Sequence, residues 1–280
     1  MQVFEFHFNP KNKENIVFDS FCYEPENISE KRLGSLYMAG QLFNSLPNDS
    51  EFLNNLAKTI KKEYYSDFQR SSEAALRESL RKANELLSKI AKQGKINWLG
   101  NLNFTILSVK ETNLPPFSLV NNVPFALTFA QIGMMKILFL KENEVLDVSR
   151  DSEAQRTGVY PLKIFENIVT GKLDTNDKIM VLTEEVFEYL NKENLIKDFA
   201  QISDKKSLNE ILKPRKKELS EISGILLFSA LIKSQIKKSS KFLTFLEKLH
   251  WPHKIALGKK IRLILSLILI LVIAFLIFRN

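Results

Sequence analysis

ALTFAQIGMMKILFLKENEVLDV, residues 126–148, is the stretch that decides the fold. Ala126–Gln131 and Lys136–Lys141 are short apolar runs separated by a glycine turn, and Glu144–Val148 follows after a polar tip. LKENEVL, with Glu142 and Asn143 at the tip, has the signature of a hairpin between two strands. Three strands this close together cannot be parallel, because parallel neighbours need a long crossover. The centre of the chain is therefore predicted to be a block of antiparallel strands.

Outward from that block, the elements on both sides alternate between strands and helices. Val3–Phe8 alternates apolar and polar residues, as a half-buried strand does, and Ile16–Tyr23 is a second strand. Glu24–Glu30 reads as a loop around Pro25, and Leu33–Leu42 as a buried strand with the turn after it. SLPNDSE marks a helix start with Asp49 or Ser50 as cap, and Phe52, Leu53, Leu56, Ile60 and Tyr64 fall on one face. A second helix starts near Ser71 and Ser72, buries Ala75, Leu76, Leu80, Ala83, Leu87 and Ile90, and stops at Gly94. Asn103–Val109 is a strand before the central block. Lys178–Leu182 is a strand, Glu184–Leu190 and Ile202–Leu212 are helices, and Gly224–Leu231 is the closing apolar strand. Helices early and late with antiparallel strands between them predict an α+β layered sandwich. There is no G-x-G-x-x-G or Walker-type loop to suggest nucleotide binding.

Beyond this domain the chain changes character. Leu263–Phe278 is sixteen residues, apolar except for Ser266, and Arg262 and Arg279 bracket it. At 1.5 Å per residue this gives roughly 24 Å of helix, close to a hydrocarbon core once the flanking arginines snorkel. Core helices seldom run this long without a polar face. Lys233 onward carries ten of the forty basic residues and one acid, Glu247. The formal charge of +8 therefore belongs to this tail, and the first 232 residues carry −1. A nucleic-acid-binding domain would hold the surplus itself, so nucleic acid is not an expected partner. The basic flank, including Lys254, Lys259 and Lys260, is expected to meet anionic lipid headgroups and to keep the N-terminal domain in the cytoplasm. The single cysteine, Cys22, fits a reducing compartment. The expected organisation is a domain over 1–232, a basic juxtamembrane segment over 233–260, and a single-pass transmembrane helix with the C-terminus over 261–280.

The order of segments in residues 1–230 resembles the PPM-type (type 2C) metal-dependent Ser/Thr protein phosphatases. SLYMAGQL, residues 35–42, resembles the family strand ending in Ala-Asp-Gly. FAQIGMMKILFLKENEVLDVSRD, residues 129–151, resembles the strand pair that carries Val-Gly-Asp-Ser-Arg. DKIMVLTEEVFEYL, residues 177–190, resembles the Thr-Asp-Gly segment, and LSEISGILLFS, residues 219–229, resembles the last strand with its Asp-Asn start. The resemblance implies a four-layer α/β/β/α sandwich with a Mn or Mg pair at one end of the two sheets. It also implies hydrolysis of phosphoserine and phosphothreonine by a water held between the metals.

This chain departs from the family where the chemistry sits. By the resemblance, the metal-site positions are Asp19, Gly40, Met134, Glu184 and Ser223, of which only Asp19 and Glu184 are acidic. Two divalent ions need several carboxylates to balance four positive charges, and a thioether such as Met134 is a poor ligand for Mg or Mn. A shift of one or two residues would bring Glu185, Glu221 or Glu24 into play instead. The expectation is a pseudophosphatase without a metal cofactor. It would bind a protein partner, such as a phosphoprotein, at the membrane. The alternatives are a Mn- or Mg-dependent phosphatase with a rearranged site, and a lipid-surface sensor working through residues 233–260. His250 and His253 have no Cys or carboxylate neighbours to complete a metal site, and the KPRKKE run at 213–218 reads as a solvated loop.

Overall fold

β1 (Gln2–Phe8) is an edge strand whose alternating VFEFHF pattern turns Phe4, Phe6 and Phe8 to one side. It pairs antiparallel with β10 (Gly224–Ala230), the closing strand, along its whole length. The sheet continues through β9 (Lys178–Leu182), β6 (Lys136–Lys141) and β7 (Glu144–Asp147). A second sheet has the order β2 (Ile16–Tyr23), β3 (Ser35–Phe43), β4 (Leu102–Glu111), β5 (Phe125–Ile132) and β8 (Val169–Leu173). Every pairing in both sheets is antiparallel.

This computed structural model describes residues 1–8, 15–45, 50–112, 124–142, 144–149, 164–202 and 204–231. The expected membrane helix, the basic segment before it, Lys254, Lys259, Lys260, Arg262, Arg279, His250, His253 and the capping residue Asp49 all lie outside the described residues. Among the described residues, no helix is long and apolar enough to cross a membrane.

Three apolar clusters define four layers. Between the sheets lie Tyr37, Ala39, Leu107 and Phe129 from one sheet, with Ile137, Ile179, Val181, Ile225 and Leu227 from the other. Outside the β2–β8 sheet, Leu36, Met38, Leu42, Phe104 and Ile106 meet α2 (Ser50–Tyr64) and α3 (Ser72–Lys92). Outside the other sheet, Leu138, Met180, Leu226 and Phe228 meet α4 (Glu184–Lys192), α5 (Lys205–Leu212) and a 3-10 turn at Asp198–Gln201. The molecule is thus an α+β fold of two antiparallel sheets flanked by helices. Central strands such as β3 and β10 are buried on both faces, which is why they read as continuous apolar runs and not as alternations.

The helices form where their sequence signals lie. The Ser71 hydroxyl accepts the Ala74 N–H as the N-cap of α3. Gly94 follows the helix with φ of +79°, a left-handed turn that glycine adopts at no steric cost. Several elements differ from expectation. The KPRKKE run at 213–218 is not a loop but a 3-10 turn at Lys213–Arg215 followed by a short helix at Lys216–Leu219, and the helix expected from Ile202 starts at Lys205, where Asp204 caps it. The loop after Pro25 contains a four-residue helix, α1, at Ile28–Lys31, capped by Asn27. The strand β8 was not foreseen, because VTGKL is an exposed edge strand that contains Gly171 and does not alternate.

Candidate functional site

β6, β9 and β10 all open or close at one end of their sheet. Lys136 at the start of β6 pairs with Leu182 at the end of β9, which pairs with Leu226 near the start of β10. Met134, Glu184 and Ser223 each lie just beyond one of these strand ends, so the structure gathers them at this end of the sandwich. Thr183 holds the junction together. Its Oγ1 accepts the Ile225 N–H at 3.1 Å, and its own N–H donates to the Ile225 carbonyl at 3.1 Å. That hydroxyl is therefore diverted from capping α4, and Glu184 and Glu185 occupy the first helical turn, where carboxylates offset the exposed N–H groups. Gly224 makes room for the contact, since a Cβ there would lie 1.9 Å from Thr183 Oγ1.

In the opposite sheet, Asp19 and Gly40 are direct partners across β2 and β3, so they share a face. That face is the helical one. A Cβ on Gly40 would meet Phe104 Cδ2 at 2.6 Å and Leu53 Cδ2 at 3.0 Å, both in the core beneath α2 and α3. Asp19 accepts the Ser20 N–H at 2.8 Å, and its charge helps raise the Tyr23 phenol, which burial raises most. Neither position looks into the space between the sheets. The residue of β3 that does is Gln41, one step on, and it is 3 % exposed. Its cross-strand partners are Phe18 and Asn103. On the same inter-sheet face, Thr105 lies opposite Ala39 and Gln131.

This end of the inter-sheet space is therefore lined by neutral polar groups. Asn103 Oδ1 accepts the Met134 N–H at 2.9 Å, and the turn is tight enough that a Cβ on Gly133, at φ +80°, would lie 1.9 Å from that oxygen. Gln131 Nε2 donates to the Met135 carbonyl at 2.5 Å, while Gln131 Oε1 and Thr105 Oγ1 are buried without a hydrogen-bond partner among the described residues. Where the space opens, Gln41 and Phe43 face Glu184, Glu185 and Glu188 of α4 across a cleft of about 210 Å³.

Two hard divalent ions would need a set of oxygen ligands with at least several negative charges. Among the described residues, no three His, Cys, Asp or Glu side chains group together in that way. Asp19 lies on the far face of its sheet from Gln41, and Gly40 cannot carry a side chain without displacing Phe104. The described residues at this end do not by themselves fit a binuclear Mg or Mn centre.

Sequence reasoning named Glu184 but missed Gln41, Asn103, Thr105, Gln131 and Glu188. The signal was there. Gln41, Asn103 and Gln131 are amides inside largely buried strands, and a buried amide marks a place that calls for a polar partner.

By sequence, no protein-family profile and no curated protein matches the chain. Its fold does match solved structures. A bacterial serine phosphatase superposes with a TM-score of 0.50 at 12% identity, covering 82% of this chain and 98% of that one. The serine/threonine phosphatase PstP/Ppp of Mycobacterium tuberculosis superposes with a TM-score of 0.50 at 11% identity, covering 81% and 96%. The chain thus has the fold of the bacterial PPM-type Ser/Thr phosphatases.

Proposed function

We propose that this is a membrane-anchored, cytosol-facing pseudophosphatase, a PPM-like domain that binds a protein partner instead of hydrolysing a phosphoester. The observation that carries the reading is the neutral lining of the inter-sheet end. Gln41, Asn103, Thr105 and Gln131 stand there, and the β3 glycine at the family's aspartate position is packed against Phe104. In this reading Asp19, Gly40, Met134, Glu184 and Ser223 are the remnants of a metal site, and the scaffold has kept its shape without its charge. Anchoring rests on the apolar run 263–278 and on the basic residues from Lys233 to Arg262, which suit an anionic bilayer.

The full chain purified in detergent, assayed on an aryl phosphate with Mn, tests the catalytic half. The expected result is no hydrolysis above the detergent blank and no stoichiometric metal. Close to two ions per chain, with hydrolysis abolished by Glu184→Ala, would overturn it. That result would establish the second reading, a Mn- or Mg-dependent phosphatase with a rearranged site, which the three glutamates of α4 favour.

A further inference from the structure

We propose that the cleft between β3 and α4 is a socket for one arginine side chain presented by a partner protein. This rests on the reading of the domain as a non-catalytic binding module and names the chemistry of its partner. Among the described residues the cleft is lined by Gln41, Phe43, Glu184, Glu185 and Glu188, three carboxylates and an amide with no lysine or arginine between them. At about 210 Å³ it is smaller than the ~300–1,000 Å³ typical of sites for whole small molecules, and it suits a single long side chain.

Gln41 is the independent observation. It is 3 % exposed, yet its side-chain amide makes no hydrogen bond among the described residues and lines the cleft. A ligand that fills the cleft removes this amide from water, and leaving it without a partner then costs on the order of 1–3 kcal/mol, so the position favours a ligand that can donate to its carbonyl oxygen. Glu184 and Glu188 are four residues apart on α4 and so lie on one face, separated by about one helical turn. Two carboxylates one turn apart are fewer than a small divalent cation needs, and among the described residues no third His, Cys, Asp or Glu joins them in a metal-holding group, whereas the pair matches the spread of a guanidinium with five donors. Phe43 adds an aromatic ring at the mouth, over which a planar cation can stack.

The test is a titration of the full chain in detergent, at low salt, with the tripeptide acetyl-Gly-Arg-Gly-amide. The readouts are the side-chain amide resonance of Gln41 and the ring resonances of Phe43. A single docked side chain should bind with a Kd of about 1 mM. Glu184→Gln and Glu188→Gln, both at accessible positions, should each weaken it by about three- to tenfold. The tripeptide with citrulline in place of arginine should not shift the Gln41 signal. The proposal is overturned if arginine and citrulline peptides act alike, if neither substitution changes binding, or if Mn occupies the cleft and excludes the peptide. The same samples are assayed for aryl phosphate hydrolysis. Hydrolysis would defeat the binding-module reading, whereas no hydrolysis and no arginine response would defeat only the socket.

Discussion

Replacing Gly40 with aspartate restores, on paper, the residue that the phosphatase family carries at this place in the sequence. The structure predicts that the substitution damages the fold instead of rebuilding a site. Its Cβ alone would sit 2.6 Å from Phe104 Cδ2, 2.8 Å from Phe104 Cε2 and 3.0 Å from Leu53 Cδ2. Phe104 is fully buried in the cluster that packs against α2 and α3. Overpacking of that kind costs about 1–3 kcal/mol, which Gly40→Ala should show by itself. The aspartate adds a carboxyl group among apolar side chains, a further ~1–3 kcal/mol even if it is protonated. Together they come to about 4 kcal/mol, or roughly 8–16 °C of melting temperature for a domain of this size. Gln41→Asp, one residue on, faces the cleft beside α4 without a steric clash and should melt above Gly40→Asp, although its carboxyl joins three glutamates there. Melting curves of the full chain by circular dichroism, read alongside metal binding by calorimetry, compare the three variants. If Gly40→Asp melts within about 2 °C of the native chain, or if it gains Mn binding that Gln41→Asp does not, the assignment of β3 faces is wrong.

Further outcomes follow from particular contacts. Tyr64 donates to the Leu33 carbonyl at 2.7 Å and lies 2.5 Å from Ser108 Oγ, and burial pushes its phenol up to about 12, although Ser108 and Ser72 pull the other way. A raised folded pKa contributes stability that is present below the unfolded value near 10 and is lost as pH rises through about 12. Tyr64→Phe should cost about 1–2 kcal/mol in urea at neutral pH and should flatten that alkaline loss. Asp204 caps α5, and the Ser207 backbone and hydroxyl hydrogen bonds hold its carboxyl below the usual range. Its stabilisation is present above the unfolded carboxylate value and is lost as pH falls through the folded one, so Asp204→Asn should blunt the acid side of a melting-temperature profile. Gly133→Ala would force a left-handed backbone on alanine and press its Cβ against Asn103 Oδ1, costing about 2–4 kcal/mol by chemical denaturation. Ser20 donates to Glu5 Oε2 at 2.6 Å and lies 2.7 Å from His7 Nε2, joining the edge strands of the two sheets. Ser20→Ala should therefore lower stability by about 0.5–1.5 kcal/mol, read in the same denaturation series.

Most of the layer order was legible because it depends on periodicity. The buried faces of α2 and α3 contain the residues that their three- and four-residue spacing selects, from Leu53 to Tyr64 and from Ala75 to Leu87. The bounds of β2, β6 and β9 coincide with the apolar runs that predict them. The candidate site was less legible, for a physical reason. Side chains alternate faces along a strand, so a motif matched by eye fixes the segment but not which of two neighbours looks inward. In AGQ, residues 39–41, the choice between Gly40 and Gln41 depends on the pairing with Asp19, Phe104 and Asn103, which local sequence does not encode. Glu188 escaped notice because its role depends on α4 lying across from β3, a contact between residues far apart in the chain.

The pairing of β1 with β10 also sets a clock. Gln2 lies against Ala230 and Phe8 against Gly224, and among the described residues β1 has no other neighbour in its sheet. At ~5–20 residues per second, the ribosome leaves QVFEFHF without its partner for roughly 10–50 s after it emerges. Over that interval the phenylalanines that will face α4 and α5 are exposed on an unpaired strand, the condition under which chains associate with one another. Contacts between the two ends of a domain are also the slowest to form, because the loop they close is the longest. The last of the described strands to be made is thus the one that completes the sheet, and yield during synthesis should be more sensitive to β10 than to any strand of the opposite sheet.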